Sequence, residues 1–183
     1  MNVWKLRTTL GLLIAVLALG GGLVGCSKKE NANGGSGEVE VPFPEGLILA
    51  SPPADAKGLG EVKKSASAGD TVTFKARIGG TTDCFIDGRA AMIVVDPALE
   101  SCDQIHGDAC ETPWDYCCEP EESLTANTAT VQIVDAAGSP LDLGLKGQHG
   151  MEELKTITVV GKVAQKNDEG LMVVNATGVH VAQ

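Results

Sequence analysis

The residues with the most reactive chemistry lie in one segment, residues 97–127. This segment holds Cys102, Cys110, Cys117 and Cys118, and the last two are adjacent within CETPWDYCCEP, residues 110–120. Cysteines at this density serve either as disulfide bridges or as thiolate ligands to a metal ion. The choice depends first on whether the protein is exported, because disulfides persist in oxidising compartments.

The amino terminus predicts export and lipidation. Lys5 and Arg7 precede an uncharged apolar run from Leu10 to Leu19, which is short for a bilayer span but typical of a signal-peptide core. The run leads into Leu-Val-Gly-Cys, residues 23–26, which resembles a bacterial lipobox. The resemblance implies cleavage after residue 25 and a diacylglycerol on the Cys26 thiol. A plain transmembrane helix is the less favoured alternative.

Three segments follow from this interpretation. Residues 1–25 are the signal peptide, residues 26–46 are the lipidated cysteine with a flexible tether, and residues 47–183 are one folded domain. Ser27, directly after the lipidated cysteine, is typical by resemblance of lipoproteins retained in the outer membrane. The formal net charge of −10 disfavours nucleic acid and anionic headgroups as partners. Acyl chains would therefore hold the protein on the cell envelope.

Alternation of apolar and polar residues predicts a mainly β domain. Residues 71–78, TVTFKARI, alternate over their whole length, as a half-buried strand does. A short helix is expected between the third and fourth strands, at residues 148–155, and another at about residues 60–66. This order favours an OB-like, five-stranded Greek-key barrel over a β-sandwich. The remaining strands are predicted at residues 89–96, 128–135, 156–164 and 171–181. Residues 97–127 then form a long cysteine-rich loop between strands 2 and 3.

The favoured interpretation of the cysteines is a loop held by disulfides. With Cys26 assigned to lipid, five cysteines remain, which allow at most two internal bridges and leave one thiol over. Neighbouring cysteines point in opposite directions in an extended chain. Cys117 and Cys118 are therefore expected to join different partners, one of them Cys84 and the other Cys102 or Cys110.

A metal site or a thiol-redox site is the alternative. Cys102, His106, Cys110, Cys117 and Cys118 could together bind zinc or Cu(I). The gaps of seven and six residues between the first three cysteines of the loop are wider than those of zinc ribbons. Because of this spacing, the sequence does not favour a metal, and no other cofactor is expected.

The loop also carries the candidate contact residues. Trp114 and Tyr116 are expected either to pack against the barrel or to form an exposed patch for an envelope protein or a glycan. Asp115 and Glu119 are interpreted as solvated charges or turn caps. No catalytic residue is predicted, because the histidines are scattered and no nucleophile is paired with a base. These histidines are His106, His149 and His180.

One combination of motifs resembles a family of uncharacterised planctomycete lipoproteins. It comprises Gly69-Asp70 before a strand, Ile78-Gly79-Gly80, Asp87-Gly88-Arg89-Ala90, and Cys110 with Thr-Pro-Trp-Asp-Tyr-Cys-Cys at residues 112–118. The resemblance spans roughly residues 60–183 and implies an OB-like fold and an export route, without an activity. The sequence thus predicts an exported, lipid-anchored binding or structural module of unknown ligand.

Overall fold

The computed structural model describes residues 43–107 and 109–183, which fold mainly into β-strands. The signal peptide, Cys26 and the tether up to residue 42 lie outside the described residues. Two short α-helices accompany six strands in the described part. The strands are β1 (Lys57–Gly58), β2 (Thr71–Ile78), β3 (Ala91–Val95), β4 (Thr128–Gln132), β5 (Thr156–Lys166) and β6 (Met172–Val181), and the helices are α1 (Leu59–Ser65) and α2 (Glu121–Asn127).

Five of these strands close into a barrel. Their order is β2-β3-β4-β6-β5, and β5 pairs back onto β2 from Thr71 opposite Lys162 to Arg77 opposite Thr156. The β4–β6 pairing is parallel, whereas the other four pairings around the barrel are antiparallel. A closed five-stranded barrel with this connectivity is OB-like, so the predicted fold class is confirmed.

Alternate residues of β2 face the core and form one side of it. Val72, Phe74, Ala76 and Ile78 are buried, while Lys75 between them is exposed. Full burial of an aliphatic or aromatic side chain contributes roughly 1.5–3 kcal/mol to folding. The other strands supply the facing residues, which include Met92, Val94, Val131, Ile157, Val159 and Val174.

The connection between β4 and β5 differs from the prediction in one respect. The helix expected over residues 148–155 is a single 3₁₀ turn, Gln148–Gly150. Gly147 and Gly150 have φ values of 81° and 80°, and His149 between them has a φ of 48°. A right-handed helix cannot continue through left-handed residues, so the acidic and basic pattern there does not become a helix.

The two α-helices lie elsewhere. The helix predicted near residues 60–66 is α1, whereas α2 falls inside the segment predicted to be loop. Helix α1 begins without a capping side chain of its own. The buried Asp96, just after β3, replaces that cap because its Oδ2 accepts a 2.6 Å hydrogen bond from the Gly60 amide. Asp96 thereby joins the start of α1 to the end of β3.

Lys63 connects the two helices. Its side chain is 6% exposed, and its Nζ donates hydrogen bonds to the carbonyl oxygens of Thr125, at 2.6 Å, and Thr128, at 2.5 Å. Burial, with a smaller contribution from the nearby Lys166 charge, lowers the pKa of Lys63 from 10.5 to about 8. Burial in the folded protein therefore disfavours the charged form of this amine, and the two carbonyl oxygens partly compensate for its lost hydration.

The stability of the domain should respond to pH through Lys63. Because the pKa is lower in the folded than in the unfolded chain, the unfolded chain binds more protons between about pH 8 and 10.5. The free energy of unfolding of the wild type should therefore rise by about 3 kcal/mol across this window relative to Lys63→Met. Urea unfolding of both proteins at several pH values measures this difference.

The neighbouring exposed lysine provides a matched control. Lys64→Met makes the same substitution at an exposed position, where burial does not oppose the charge, so it should depend less on pH than Lys63→Met does. An identical pH dependence for the two variants would contradict the role of Lys63. Comparing differences also cancels groups that titrate equally in all three proteins, such as Cys84.

Candidate metal centre

The cysteine-rich loop begins with a turn that buries Cys102. Residues Cys102–Gln104 form a 3₁₀ turn in which the Gln104 amide donates to the Ser101 carbonyl oxygen over 2.9 Å. The Gln104 side chain turns back, and its Oε1 accepts a 3.1 Å hydrogen bond from the Ser101 amide. This reciprocal capping holds Cys102 in one position against the barrel, where it is buried.

Arg77 of β2 ties this turn to the barrel. Its Nη1 donates to Ser101 Oγ and to Gln104 Oε1, each over 3.0 Å, and to the Tyr116 hydroxyl over 3.4 Å. Ser101 and Tyr116 belong to different parts of the loop. One guanidinium on a rigid strand therefore holds both parts in register with each other.

A second turn orients Asp115. Pro113 opens the 3₁₀ turn Pro113–Asp115, and Thr112 Oγ1 donates a 2.8 Å hydrogen bond to Asp115 Oδ2. Tyr116 then adopts a left-handed conformation, with φ 58°. This reverses the chain, so that the Cys117 amide donates to Asp115 Oδ1 over 2.8 Å. Both carboxylate oxygens are thereby fixed.

The two turns bring three sulfurs and one carboxylate together. Cys117 Sγ lies 3.6 Å from Cys102 Sγ and 3.7 Å from Cys110 Sγ, and Cys102 Sγ lies 3.9 Å from Asp115 Oδ1. The ligand atoms of these four residues all lie within 4.8 Å of one another. In a tetrahedral site with metal–sulfur bonds of about 2.3 Å, neighbouring sulfurs lie about 3.8 Å apart. The two sulfur separations measured from Cys117 match the edges of such a tetrahedron.

The electrostatics of the cluster suit a cation. Partial burial raises the pKa of Asp115, but hydrogen bonds from the Cys117 amide and the Thr112 hydroxyl outweigh this, so the net pKa lies below its ordinary value. Hydrogen bonds with Cys102, Cys110 and Asp115 raise the pKa of Cys117 well above its ordinary value. A carboxylate that stays ionised beside three sulfurs favours a positive ion there.

The aromatic residues dock the loop onto the barrel beside the end of β2. Tyr116 is fully buried, which fits packing against the barrel and corrects the alternative of an exposed contact patch for this residue. Trp114 is half-buried and packs against the core, and its Nε1 donates to the Thr82 carbonyl oxygen over 2.9 Å. The Trp114 carbonyl oxygen accepts a 2.8 Å hydrogen bond from the Gly80 amide. The turn that carries Asp115 is thus anchored on both sides.

The remaining predicted site residues lie outside the four-atom cluster. Cys84 is buried in the barrel core, where burial and then Glu153 raise its pKa to about 11. His106 and Cys118 are exposed and contribute no atom to the cluster. Among the described cysteines the structure contains no disulfide, so the predicted bridges, including the one to Cys84, stay a hypothesis.

The sequence did not indicate Asp115 as a candidate ligand, and it was interpreted as a solvated charge or turn cap. It does cap a turn, and the same hydrogen bonds aim its Oδ1 at the sulfurs. Thr112 three residues before it, with proline at the first position of the turn, is the signal that could have identified it.

Comparisons with protein-family models, curated proteins and solved structures found no match for the chain. Over residues 43–107 and 109–183, no helix has the length and apolar character needed to cross a bilayer. The resemblance to planctomycete lipoproteins therefore stays a prediction.

Proposed function

We propose that this protein is an exported, lipid-anchored OB-like module whose cysteine loop binds one thiophilic metal ion. The observation that carries the metal site is the group of Cys102, Cys110, Asp115 and Cys117, whose ligand atoms lie within 4.8 Å of one another. This geometry favours the metal hypothesis over the two-disulfide loop. The two-disulfide loop also needs a bridge to Cys84, which is buried in the barrel core and is not a member of this cluster.

The donor set favours Zn²⁺ over Cu(I). Three thiolates and a carboxylate combine soft and hard ligands, which suits the borderline character of zinc, whereas Cu(I) prefers sulfur alone. Four protein ligands fill a tetrahedron and leave no open position for a substrate. We infer a structural role, in which the ion joins the turn at Cys102 to the turn at Asp115.

A metal ion in this position would stabilise a surface for recognition. The loop residue that combines exposure with a large apolar ring is Trp114, which is only half-buried. It lies in the same 3₁₀ turn as the ligand Asp115. We therefore retain an envelope protein or a glycan as the partner, with Trp114 as its contact residue and the metal ion holding the turn in shape.

Metal titration of the full chain tests this function. The reduced protein should bind one equivalent of Zn²⁺. Co²⁺ in its place should produce the intense visible absorption of a tetrahedral ion and sulfur-to-metal charge-transfer bands. Octahedral Co²⁺ spectra without charge transfer, or no stoichiometric binding of Zn²⁺, would refute the proposal.

Lipidation of Cys26 is a separate part of the proposal and rests on the lipobox. Cys26→Ser should move the protein from the membrane fraction to the soluble fraction, or leave the unprocessed precursor, because acyl chains supply the membrane affinity. Fractionation with an antibody against the barrel measures this. Ser27→Ala is the matched control and should leave the protein lipidated. Unchanged membrane partition with normal cleavage in Cys26→Ser would contradict the anchor.

A further inference from the structure

Cys117 occupies a shared position between two other sulfurs. Its Sγ is almost equidistant from Cys102 and Cys110, at 3.6 and 3.7 Å. A disulfide requires a sulfur separation of about 2.05 Å, so a shift of less than about 2 Å would join Cys117 to either neighbour. Because Cys117 has one sulfur, only one of the two bonds can form in a given molecule.

The three cysteines differ in exposure and therefore in how easily an oxidant can reach their sulfurs. Cys102 is 1% exposed, Cys110 is half-buried, and Cys117 is exposed. Cys117 is therefore the sulfur of this cluster most accessible to an external oxidant, although its raised pKa slows the attack because only the thiolate reacts. The two inner sulfurs then lie in position to resolve the mixed disulfide.

We propose that Cys117 is a redox modification site and that metal binding and disulfide formation exclude each other there. Without metal, Cys117 forms a disulfide with Cys102 or Cys110. With metal bound, all three sulfurs are ligands and none is available for oxidation. This inference rests on the proposed metal-binding function and adds the regulation of that site.

The chemistry balances with a small disulfide as oxidant. The Cys117 sulfur attacks one sulfur of oxidised glutathione, forms a mixed disulfide and releases one glutathione thiol. The second protein sulfur attacks the Cys117 sulfur, forms the protein disulfide and releases the second glutathione thiol. Two electrons pass from the protein sulfurs to glutathione, and the two thiol protons end on the released glutathiones. The oxidised protein would retain only two of the four ligand atoms, so it would no longer bind the metal ion.

Oxidation of the full chain with and without Zn²⁺ tests the inference. The reduced protein is divided into a Zn²⁺-loaded sample, whose stoichiometry is checked by native mass spectrometry, and a chelator-treated sample. Both are exposed to oxidised glutathione, quenched by alkylation at intervals and mapped without reduction. The metal-free sample should yield Cys102–Cys117 or Cys110–Cys117 disulfides, at a rate at least about tenfold higher than the loaded sample.

The possible outcomes separate this inference from the proposed function. One bound Zn²⁺ with no protection from oxidation would overturn the inference and leave metal binding intact. Failure to bind Zn²⁺ at all would overturn both. A dominant Cys117–Cys118 or Cys84 disulfide in the metal-free sample would also overturn the inference. Repetition with Cys118→Ser, which removes the adjacent thiol, should reproduce the expected pairing and protection.

Discussion

Replacement of Cys117 by serine should lower the affinity of the full chain for Zn²⁺ by at least about a hundredfold. Loss of an outer-shell partner already costs about 10–100-fold in metal affinity, and Cys117 would be a direct ligand. Its Sγ also lies 3.6 and 3.7 Å from the two other sulfurs, so the substitution removes the ligand atom that neighbours both of them. Competition titration against a chromophoric chelator measures the change.

Cys118→Ser is the matched control for this prediction. It makes the same substitution one residue further along, at an exposed cysteine that lies outside the four-atom cluster. Its Zn²⁺ affinity should stay within about threefold of the wild type, because no direct ligand is lost. Equal losses in the two variants would place the metal elsewhere. Asp115→Asn, which keeps the turn geometry and removes the charge, should fall between them.

Gly79→Ala should lower the free energy of unfolding by about 2–4 kcal/mol, through backbone strain and overpacking combined. Gly79 has a φ of 151°, which L side chains rarely adopt. A Cβ there would lie 2.6 Å from the Trp114 carbonyl oxygen and 3.2 Å from Tyr116 Cε2. The carbonyl oxygen cannot retreat without losing its hydrogen bond from the Gly80 amide. The substitution should therefore push the turn that carries Trp114 and Asp115 off the barrel.

Gly69→Ala separates the two contributions to this effect. Gly69 also has a positive φ, 95°, but a Cβ there meets nothing within 4 Å. It should cost about 1 kcal/mol from backbone strain alone and leave Zn²⁺ affinity unchanged. Urea unfolding and Zn²⁺ titration of both variants check the prediction. If Gly79→Ala were no more costly than Gly69→Ala, the loop would not be docked as described.

The barrel could be predicted because its signals are local. Alternation in residues 71–78 specifies which face of β2 enters the core, and the structure buries the predicted face. The strands at residues 89–96, 128–135, 156–164 and 171–181 appear as β3 to β6, with ends that differ by a few residues. Helix α1 was predicted and α2 was missed, because Glu121–Asn127 has no buried residue and so no apolar face to recognise.

The sequence showed which kinds of residue the site would use, but it did not show which of them come together in the fold. Four cysteines within residues 97–127 indicated sulfur chemistry, and a tryptophan and a tyrosine beside them indicated a packed loop. Which atoms meet depends on contacts between residues far apart in the chain. Arg77 on β2 holds Ser101 and Tyr116 together, and Gly79, directly after that strand, allows the Trp114 carbonyl to approach. Only the folded barrel places Asp115, and not His106, in the candidate cluster, because the cluster depends on distances in space that sequence spacing does not encode.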